Sequence, residues 1–284
     1  MTSQNTADPP ARPGFGELLE SVATVVLEAG RLVMAVYARD FAVAAKDDAS
    51  PVTEADQLAE ALITPVLLAL LPGVAVVAEE AAAAGQAPAA SELGPRFWLV
   101  DPLDGTREFI QRNGEFTVNV ALIEHGRPVL GVVLAPALGQ LYAGAAGLGA
   151  FTQAGDDAST RQAISCRAQP AEGLTVLASR SHGDQAALNA YLAGQQRVAR
   201  IIHAGSSLKL CLLAAGEADL YPRLGRTMEW DIAAGQAVLE AAGGRVEDLQ
   251  GQPLRHGKPG FENPNFAAWG RAISPAGPRP SPAA

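Results

Sequence analysis

Nine residues, WLVDPLDGT, which end at Thr106, constrain the fold and the chemistry of this chain more than any other segment. The segment begins inside the apolar run Phe97–Val100, which predicts a buried strand, and two aspartates, Asp101 and Asp104, follow where that strand ends. Gly105 and Thr106 then open a helical stretch, whose first backbone N–H groups have no partner within the helix and attract anions. Two carboxylates for a metal and N–H groups for a phosphate, within six residues, predict a phosphoryl-transfer site.

Further acidic residues stand at strand ends or helix starts. Glu79 and Glu80 follow the strand-like run Val74–Ala78, Asp231 opens a helical stretch, and Asp56 lies in the first turn of another. Ligand sites in α/β folds gather at such places. Clustered carboxylates repel one another unless a cation compensates, and oxygen ligands suit Mg²⁺, Ca²⁺ or Mn²⁺. The alternative is that single acids, Glu80 and Asp56 above all, cap helices or lie in solvated loops.

Charge and composition argue against several other functions. The 284 residues carry a net charge of −9, whereas a surface for nucleic-acid polymers needs clustered Lys and Arg. The four histidines show no zinc spacing, and the two cysteines, Cys166 and Cys211, lie far apart and are expected to be inert thiols, although a disulfide stays open. Neither the GxSxG pattern of serine hydrolases nor the GxxxxGK[ST] pattern of P-loop enzymes occurs.

The sequence predicts a cytoplasmic protein without a transmembrane segment. Its first residues lack the apolar core of a secretory signal, and apolar stretches such as Pro65–Leu71 are too short to cross a bilayer. Peripheral association with the inner membrane and a homodimer both stay open, because the sequence indicates neither membrane contact nor oligomeric state.

Periodicity divides the chain into two halves between two tails. Helical spacing over Glu17–Tyr37 and from Thr53, followed by strand-like runs up to about residue 163, predicts an α+β half with an antiparallel sheet. After Cys166 strand-like and helical stretches alternate, which predicts an α/β half. We therefore expect a layered α/β protein with an N-terminal metal-binding domain (14–165), a C-terminal substrate domain (166–273) and disordered tails (1–13 and 274–284).

Three motifs resemble those of the inositol monophosphatase-like superfamily, from about Glu17 to Gly270. They are WLVDPLDGT, of the form W-x-[IV]-D-P-[IL]-D-G-T, the upstream pair Glu79-Glu80, and the downstream pair Trp230-Asp231, which a small-residue helix and Gly243-Gly244 follow. Within the superfamily the chain most resembles CysQ-type 3'(2'),5'-bisphosphate nucleotidases. That likeness lies in SPVTEAD up to Asp56, DGTREFIQRNGEFTVN from Asp104, SRSH up to His182, GSSLK up to Lys209 and YPR up to Arg223. The resemblance implies an α-β-α-β-α sandwich.

The resemblance also implies a cofactor of two or three Mg²⁺ ions, inhibition by Li⁺, and roles for particular residues. Metal ligands would be the carboxylates of Glu79, Asp101, Asp104 and Asp231, together with the backbone carbonyl of Leu103. Asp56 and Thr106 would position or deprotonate the attacking water, and Glu79 is implied as catalytic too. Gly105 and Thr106 would contact the phosphate that is cleaved, and Glu79, Leu103, Asp104 and Asp231 would also line the substrate.

The implied substrate is a small phosphorylated nucleotide, adenosine 3',5'-bisphosphate or its sulfated relative, which would lose the 3'-phosphate in sulfate assimilation or nucleotide recycling. Its further contacts would be Ser179, His182, Ser206, Lys209 and Arg223, although Lys209 and His182 could instead be a surface lysine and a loop histidine. Inositol 1-phosphate and fructose 1,6-bisphosphate are alternative substrates. A homologue that binds metal or nucleotide without turnover is the non-enzymatic alternative, against which the retention of every acid and of Thr106 argues.

Overall fold

A computed structural model describes residues 13–45, 51–180, 185–195 and 197–271. They form five layers: two helices, a seven-stranded sheet, two more helices, a five-stranded sheet and an outer helix. The α-β-α-β-α sandwich is therefore confirmed.

Within the described ranges the α-helices are α1 (Phe15–Tyr37), α2 (Glu54–Leu70), α3 (Glu79–Ala83), α4 (Thr106–Ile110), α5 (Gln185–Ala193), α6 (Leu208–Ala214) and α7 (Glu229–Ala241). The strands are β1 (Val43–Ala45), β2 (Pro51–Thr53), β3 (Ala75–Ala78), β4 (Arg96–Asp104), β5 (Thr117–Glu124), β6 (Arg127–Ala135), β7 (Gln140–Ala145), β8 (Gly149–Ala154), β9 (Gln162–Ile164), β10 (Leu174–Ser179), β11 (Val198–Ala204), β12 (Leu220–Arg223), β13 (Arg245–Asp248) and β14 (Phe266–Trp269).

The first sheet has the strand order β3-β4-β5-β6-β7-β8-β9. β3 runs parallel to β4, and every later pair is antiparallel, as the sequence predicts for this half. His125 and Gly126 make the two-residue turn between β5 and β6, with φ angles of 50° and 75°. Two positive φ angles in succession are typical of the turn that matches the twist of a hairpin.

Helices α1 and α2 cover one face of this sheet because each carries an apolar stripe at helical spacing. On α1 the stripe includes Val22, Val26 and Val33, all fully buried. Gly30 brings the helix close to β6, since a Cβ at this position would lie 2.3 Å from Leu134 Cδ2. Helix α2 packs against both α1 and β4, and Asp56 near its start lies 3.4 Å from the hydroxyl of Thr106, two residues after β4.

Helix α7 lies between the two sheets and packs closely because small residues meet there. A Cβ on Gly131 of β6 would come within 2.3 Å of the Ala234 carbonyl oxygen of α7. One buried cluster joins Leu99 of the first sheet to Val238 of α7 and Phe266 of the second sheet. The two halves thus share a core, and the division at residues 165 and 166 stays a prediction.

The second sheet has the order β11-β10-β12-β14-β13. β10 runs parallel to β11 and β12, in agreement with the α/β pattern, whereas β14 is antiparallel to both β12 and β13. The sequence-based interpretation missed β13 and β14, as it missed β1, β2 and β9. Strands of three or four residues show no clear period, and β3 was recognised because it belongs to the continuous apolar run Val74–Ala78.

Both predicted tails fall outside the described residues, apart from Pro13, which lies just before α1. None of the helices in the described ranges is long and apolar enough to cross a membrane.

Candidate active site

The two aspartates of the WLVDPLDGT segment lie inside β4 rather than just after it. The pairing of β4 with β5 shifts register between Asp101 and Asp104, at an irregularity that contains Pro102 and Leu103. Proline has no N–H for the ladder, and the Leu103 N–H donates to Asp101 Oδ1 over 3.0 Å. Both carboxyl groups therefore reach the same cavity at the end of the strand.

Glu79 and Asp231 reach this cavity from other elements. Glu79 begins α3 directly after β3, whose last residue, Ala78, pairs with Val100 of β4. Asp231 is the third residue of α7, and its Oδ2 accepts the Met228 N–H over 2.9 Å, which fixes the carboxyl at the helix start. The structure thus brings together the four carboxylates that the sequence nominates as metal ligands.

The carboxyls act on one another electrostatically. Burial raises the pKa of Asp101 well above its ordinary value, and the negative charge of Glu79 raises it further. Burial and the charge of Asp104 do the same to Asp231. The pKa of Asp104 rises to about 6, because burial outweighs the opposite effect of the Lys209 charge. Crowded buried carboxylates of this kind are compensated by a cation.

This donor set fits a hard divalent cation, since all its side-chain ligands are oxygen atoms. In the part of the chain that the structure describes, no three His, Cys, Asp or Glu side chains are already arranged to hold a metal ion. The side chains of Asp101 and Glu79 hydrogen-bond to each other, so these carboxyls would have to turn toward a shared ion.

Asp56 and Thr106 form a second, adjoining group. Asp56 is buried, and its Oδ2 accepts both the N–H and the hydroxyl of Thr53 over 2.8 Å. The Thr106 hydroxyl lies 3.4 Å from Asp56 Oδ1 and 3.2 Å from the Leu103 carbonyl oxygen, and it has one proton to give to either. Thr106 lines the cavity, and Asp56 lies behind it. The roles of both residues toward an attacking water stay predictions.

Gly105 precedes α4 in a left-handed conformation, with φ of 89°. A Cβ here would meet the Glu115 carbonyl oxygen at 3.2 Å, so both the backbone angle and the space favour glycine. Gly105 lines the cavity beside the carboxylates.

The cavity also has a cationic end, which adjoins Asp104. Lys209 on α6 is buried, and its Nζ donates to the carbonyl oxygens of Ser206 (2.6 Å) and Ala204 (3.2 Å) and lies 5.2 Å from the ring centroid of Tyr221. Burial lowers the pKa of Lys209 to about 8, although the charge of Asp104 opposes that shift. Lys209 is therefore not a surface lysine. Two of its three N–H groups are engaged by the protein.

Ser179, Ser206 and Arg223 also line this cavity, whose volume is about 1080 Å³. Arg223 is buried on β12 and donates to the Arg226 carbonyl oxygen over 2.9 Å. His182, the remaining predicted contact, lies outside the described residues. The cavity thus joins the acidic and the cationic residues in one space.

The order of these motifs and their convergence on one cavity agree with a family assignment. A model of the inositol monophosphatase family matches residues 17–275. The chain belongs to the inositol monophosphatase family. It is a phosphatase.

Several known members of this family cover nearly the whole chain. The 3'(2'),5'-bisphosphate nucleotidase CysQ of Escherichia coli (strain K12) is 45% identical over 254 residues, which are 88% of this chain and 98% of that protein. CysQ of Salmonella typhimurium is 46% identical with the same coverage. The crystal structure of CysQ from Bacteroides thetaiotaomicron aligns with a TM-score of 0.76 and 33% identity, covering 90% of this chain and 98% of that one.

Sequence reasoning missed one residue of this inositol monophosphatase-family site that links its two ends. The Ser207 N–H donates to Asp104 Oδ2 over 2.5 Å, and the Ser207 hydroxyl donates to Asn119 Oδ1 over 2.6 Å. Thr117 Oγ1 lies 2.8 Å from the same hydroxyl. The available signal was polar Thr117 and Asn119 at alternate positions of an otherwise apolar strand, which indicates a buried polar partner.

Proposed function

We propose that this phosphatase removes the 3'-phosphate of adenosine 3',5'-bisphosphate and of its sulfated relative, 3'-phosphoadenosine 5'-phosphosulfate. One observation carries the proposal. A carboxylate cluster with Thr106 and a buried amine, Lys209, line the same cavity, and Ser206 and Ser207 connect them by hydrogen bonds to Lys209 and Asp104. A substrate with two phosphates needs both a hydrolytic centre and a second cationic contact. The nucleotidase names of the relatives support the same substrate.

In this proposal two or three Mg²⁺ ions would be held by four carboxylates and one backbone carbonyl. The ligands would be Glu79, Asp101, Asp104, Asp231 and the carbonyl of Leu103. When bound, such ions polarise phosphoryl oxygens and lower the pKa of a bound water. The support is the oxygen-only donor set and the raised pKa values of Asp101, Asp104 and Asp231, which a cation relieves.

The residues that handle the attacking water are Thr106 and Asp56. The Thr106 hydroxyl accepts a hydrogen bond from the water while it donates its own proton to Asp56, which orients the oxygen lone pair toward phosphorus. Thr53 holds Asp56 in place through two hydrogen bonds. Glu79, itself one of the four carboxylates, assists in this step, and the N–H groups at Gly105 and Thr106 support the scissile phosphate.

At the other end, Lys209 and Ser206 bind the second phosphate, and Ser179, His182 and Arg223 contact the nucleoside or its phosphate. The support is that Ser179, Ser206, Lys209 and Arg223 all line the cavity. A cytoplasmic location and a homodimer are compatible with this function and stay predictions.

The deciding experiment measures phosphate release from adenosine 3',5'-bisphosphate, inositol 1-phosphate and fructose 1,6-bisphosphate in parallel, with Mg²⁺, with EDTA, and with Mg²⁺ plus Li⁺. We expect the adenosine substrate to give the highest kcat/KM, only with Mg²⁺, and Li⁺ to inhibit. A preference for inositol 1-phosphate or fructose 1,6-bisphosphate contradicts the substrate proposal, and no turnover of any substrate supports the non-enzymatic alternative.

A further inference from the structure

A charged contact connects the two halves of the molecule beside the cationic end of the cavity. Arg180, directly after β10, donates to both carboxylate oxygens of Glu115, over 2.8 Å from Nε and 2.7 Å from Nη2. Glu115 belongs to the loop between α4 and β5. A bidentate pair of this kind fixes the orientation of its partners as well as their distance.

Both partners also hold the backbone of residues 203–205. Glu115 Oε2 accepts the Gly205 N–H over 2.8 Å. Arg180 Nη2 donates to the His203 carbonyl oxygen over 2.9 Å, and the Arg180 N–H donates to the Ala204 carbonyl oxygen over 3.3 Å. The side chains of this ion pair therefore hold two consecutive peptide groups at the end of β11, through the His203 carbonyl and the Gly205 N–H.

The residues that follow this backbone are those proposed to bind the second phosphate. Ser206 has a φ of 46°, which is unfavourable for a residue with a side chain and must be stabilised by its surroundings. Its carbonyl oxygen accepts from Lys209 Nζ. Gly205 packs directly on the opposite half, because a Cβ there would lie 2.7 Å from the Glu115 carbonyl oxygen. The positions of Ser206 and Lys209 therefore depend on Glu115.

We propose that Glu115 and Arg180 form a clamp that holds the Ser206–Lys209 loop in place for the second phosphate of the substrate. This inference rests on the proposed function. Neither side chain of the clamp lines the cavity, whereas Ser206 and Lys209 do. Glu115 and Arg180 are thus positioning residues that determine specificity for a bisphosphate over a monophosphate, and they take no part in hydrolysis.

The test compares Glu115→Ala with the wild type on adenosine 3',5'-bisphosphate and on adenosine 3'-monophosphate, which lacks the second phosphate. For the bisphosphate we expect KM to rise about tenfold with kcat nearly unchanged, because the loop that binds it shifts by a fraction of an ångström. For the monophosphate both constants stay within about twofold of the wild type, since the carboxylate cluster is unaffected.

Glu20→Ala is the matched control, because it removes a similar bidentate pair, with Arg161, that is remote from the cavity. It should leave the preference for the bisphosphate unchanged even if thermal stability falls as much as in Glu115→Ala. Arg180→Lys, which keeps the charge, should retain more of that preference than Arg180→Met, which removes it.

The clamp is overturned by an equal loss on both substrates in Glu115→Ala, or by the same KM change in Glu20→Ala. The wild-type measurement separates this failure from that of the proposed function. A wild type that does not prefer the bisphosphate overturns both proposals, whereas a wild-type preference that survives in Glu115→Ala and Arg180→Met overturns the clamp alone.

Discussion

The cavity has an acidic end and a cationic end, and the charged side chains of the two ends are stabilised in different ways. The acidic end consists of Asp56, Glu79, Asp101, Asp104, Asp231 and Thr106. The cationic end consists of Ser206, Lys209 and Arg223. Carboxyls of the acidic end raise one another's pKa, whereas the amine of Lys209 donates to two backbone carbonyl oxygens of its own chain. We therefore expect a bound cation to stabilise the acidic end, whereas the contacts of Lys209 are made within the fold.

The hydrogen bond from the Ser207 N–H to Asp104 is where the two ends meet. It ties a residue of β4 to the residue just before α6. The two ends therefore share one hydrogen bond, although the chemistry of their side chains differs.

The largest effect that distinguishes the two ends is expected from Asp104→Asn. The amide oxygen can still accept the Ser207 N–H, so the fold and the cationic end should remain, while one metal-binding charge is lost. We expect kcat to fall about 10³-fold or more on every phosphate substrate, because metal-stabilised charge contributes several kcal/mol. Steady-state kinetics with Mg²⁺ measure this.

Asp156→Asn is the control for Asp104→Asn, because it removes the same charge from an exposed pair with Arg31. It should have normal kinetics. Near-normal turnover of Asp104→Asn, with an unchanged circular dichroism spectrum, would contradict the assignment of the acidic end.

A smaller and more selective effect is expected at the cationic end from Lys209→Met. The variant loses all three N–H groups of the amine, of which two are engaged within the described residues. We expect kcat/KM for adenosine 3',5'-bisphosphate to fall about 30-fold, as for a lost charge-assisted hydrogen bond. Turnover of adenosine 3'-monophosphate should change several times less. Equal losses on the two substrates would mean that Lys209 supports the loop rather than the phosphate.

The difference between the acidic and the cationic end also explains which parts of the site could be predicted from the sequence. The acidic end comes mostly from residues next to strand ends and helix starts, and WLVDPLDGT places Asp101, Asp104 and Thr106 in one short segment, so local pattern and resemblance were sufficient. The layers followed from the helical and strand periods of long elements such as α1 and β5.

The cationic end needed tertiary information. That Lys209 is buried, that Ser207 binds Asp104, and that Glu115 reaches Gly205 depend on contacts between residues about 90 to 100 positions apart. Helical spacing alone does not show whether a lysine side chain is buried or exposed. Very short strands such as β13 and β14 were missed for a different reason, since four residues do not establish a period.

The helix that brings Asp231 to the acidic end has a pH-sensitive support. His256 is fully buried, its Nε2 lies 3.0 Å from Gln236 Oε1 on α7, and burial lowers its pKa from 6.5 to about 3. Between these two pH values the unfolded chain binds a proton that the folded chain does not, so stability is present above pH 6.5 and is lost as pH falls.

We expect this single group to remove about 2 kcal/mol of unfolding free energy between pH 7 and pH 5. Urea unfolding of the wild type and of His256→Gln at both pH values measures the contribution of His256 to this loss, since the titration of all other groups is common to both proteins. The variant should lose less stability on acidification. The same pH dependence in both proteins would show that His256 is not kept neutral by the fold.

The smallest expected effect comes from the electrostatic repulsion among the carboxylates of the acidic end. Mg²⁺ at ten times its dissociation constant should stabilise the wild type by about 1.4 kcal/mol, measured as a rise in Tm over the EDTA-treated protein.

Asp101→Asn removes one buried charge from the cluster, so its Tm in EDTA should exceed that of the wild type, and its response to Mg²⁺ should be weaker. Lys209→Met removes a positive charge near Asp104 and should do the opposite in EDTA. If Asp101→Asn instead lowers the Tm in EDTA, the carboxylates stabilise the fold without a cation, and the contrast between the two ends is wrong.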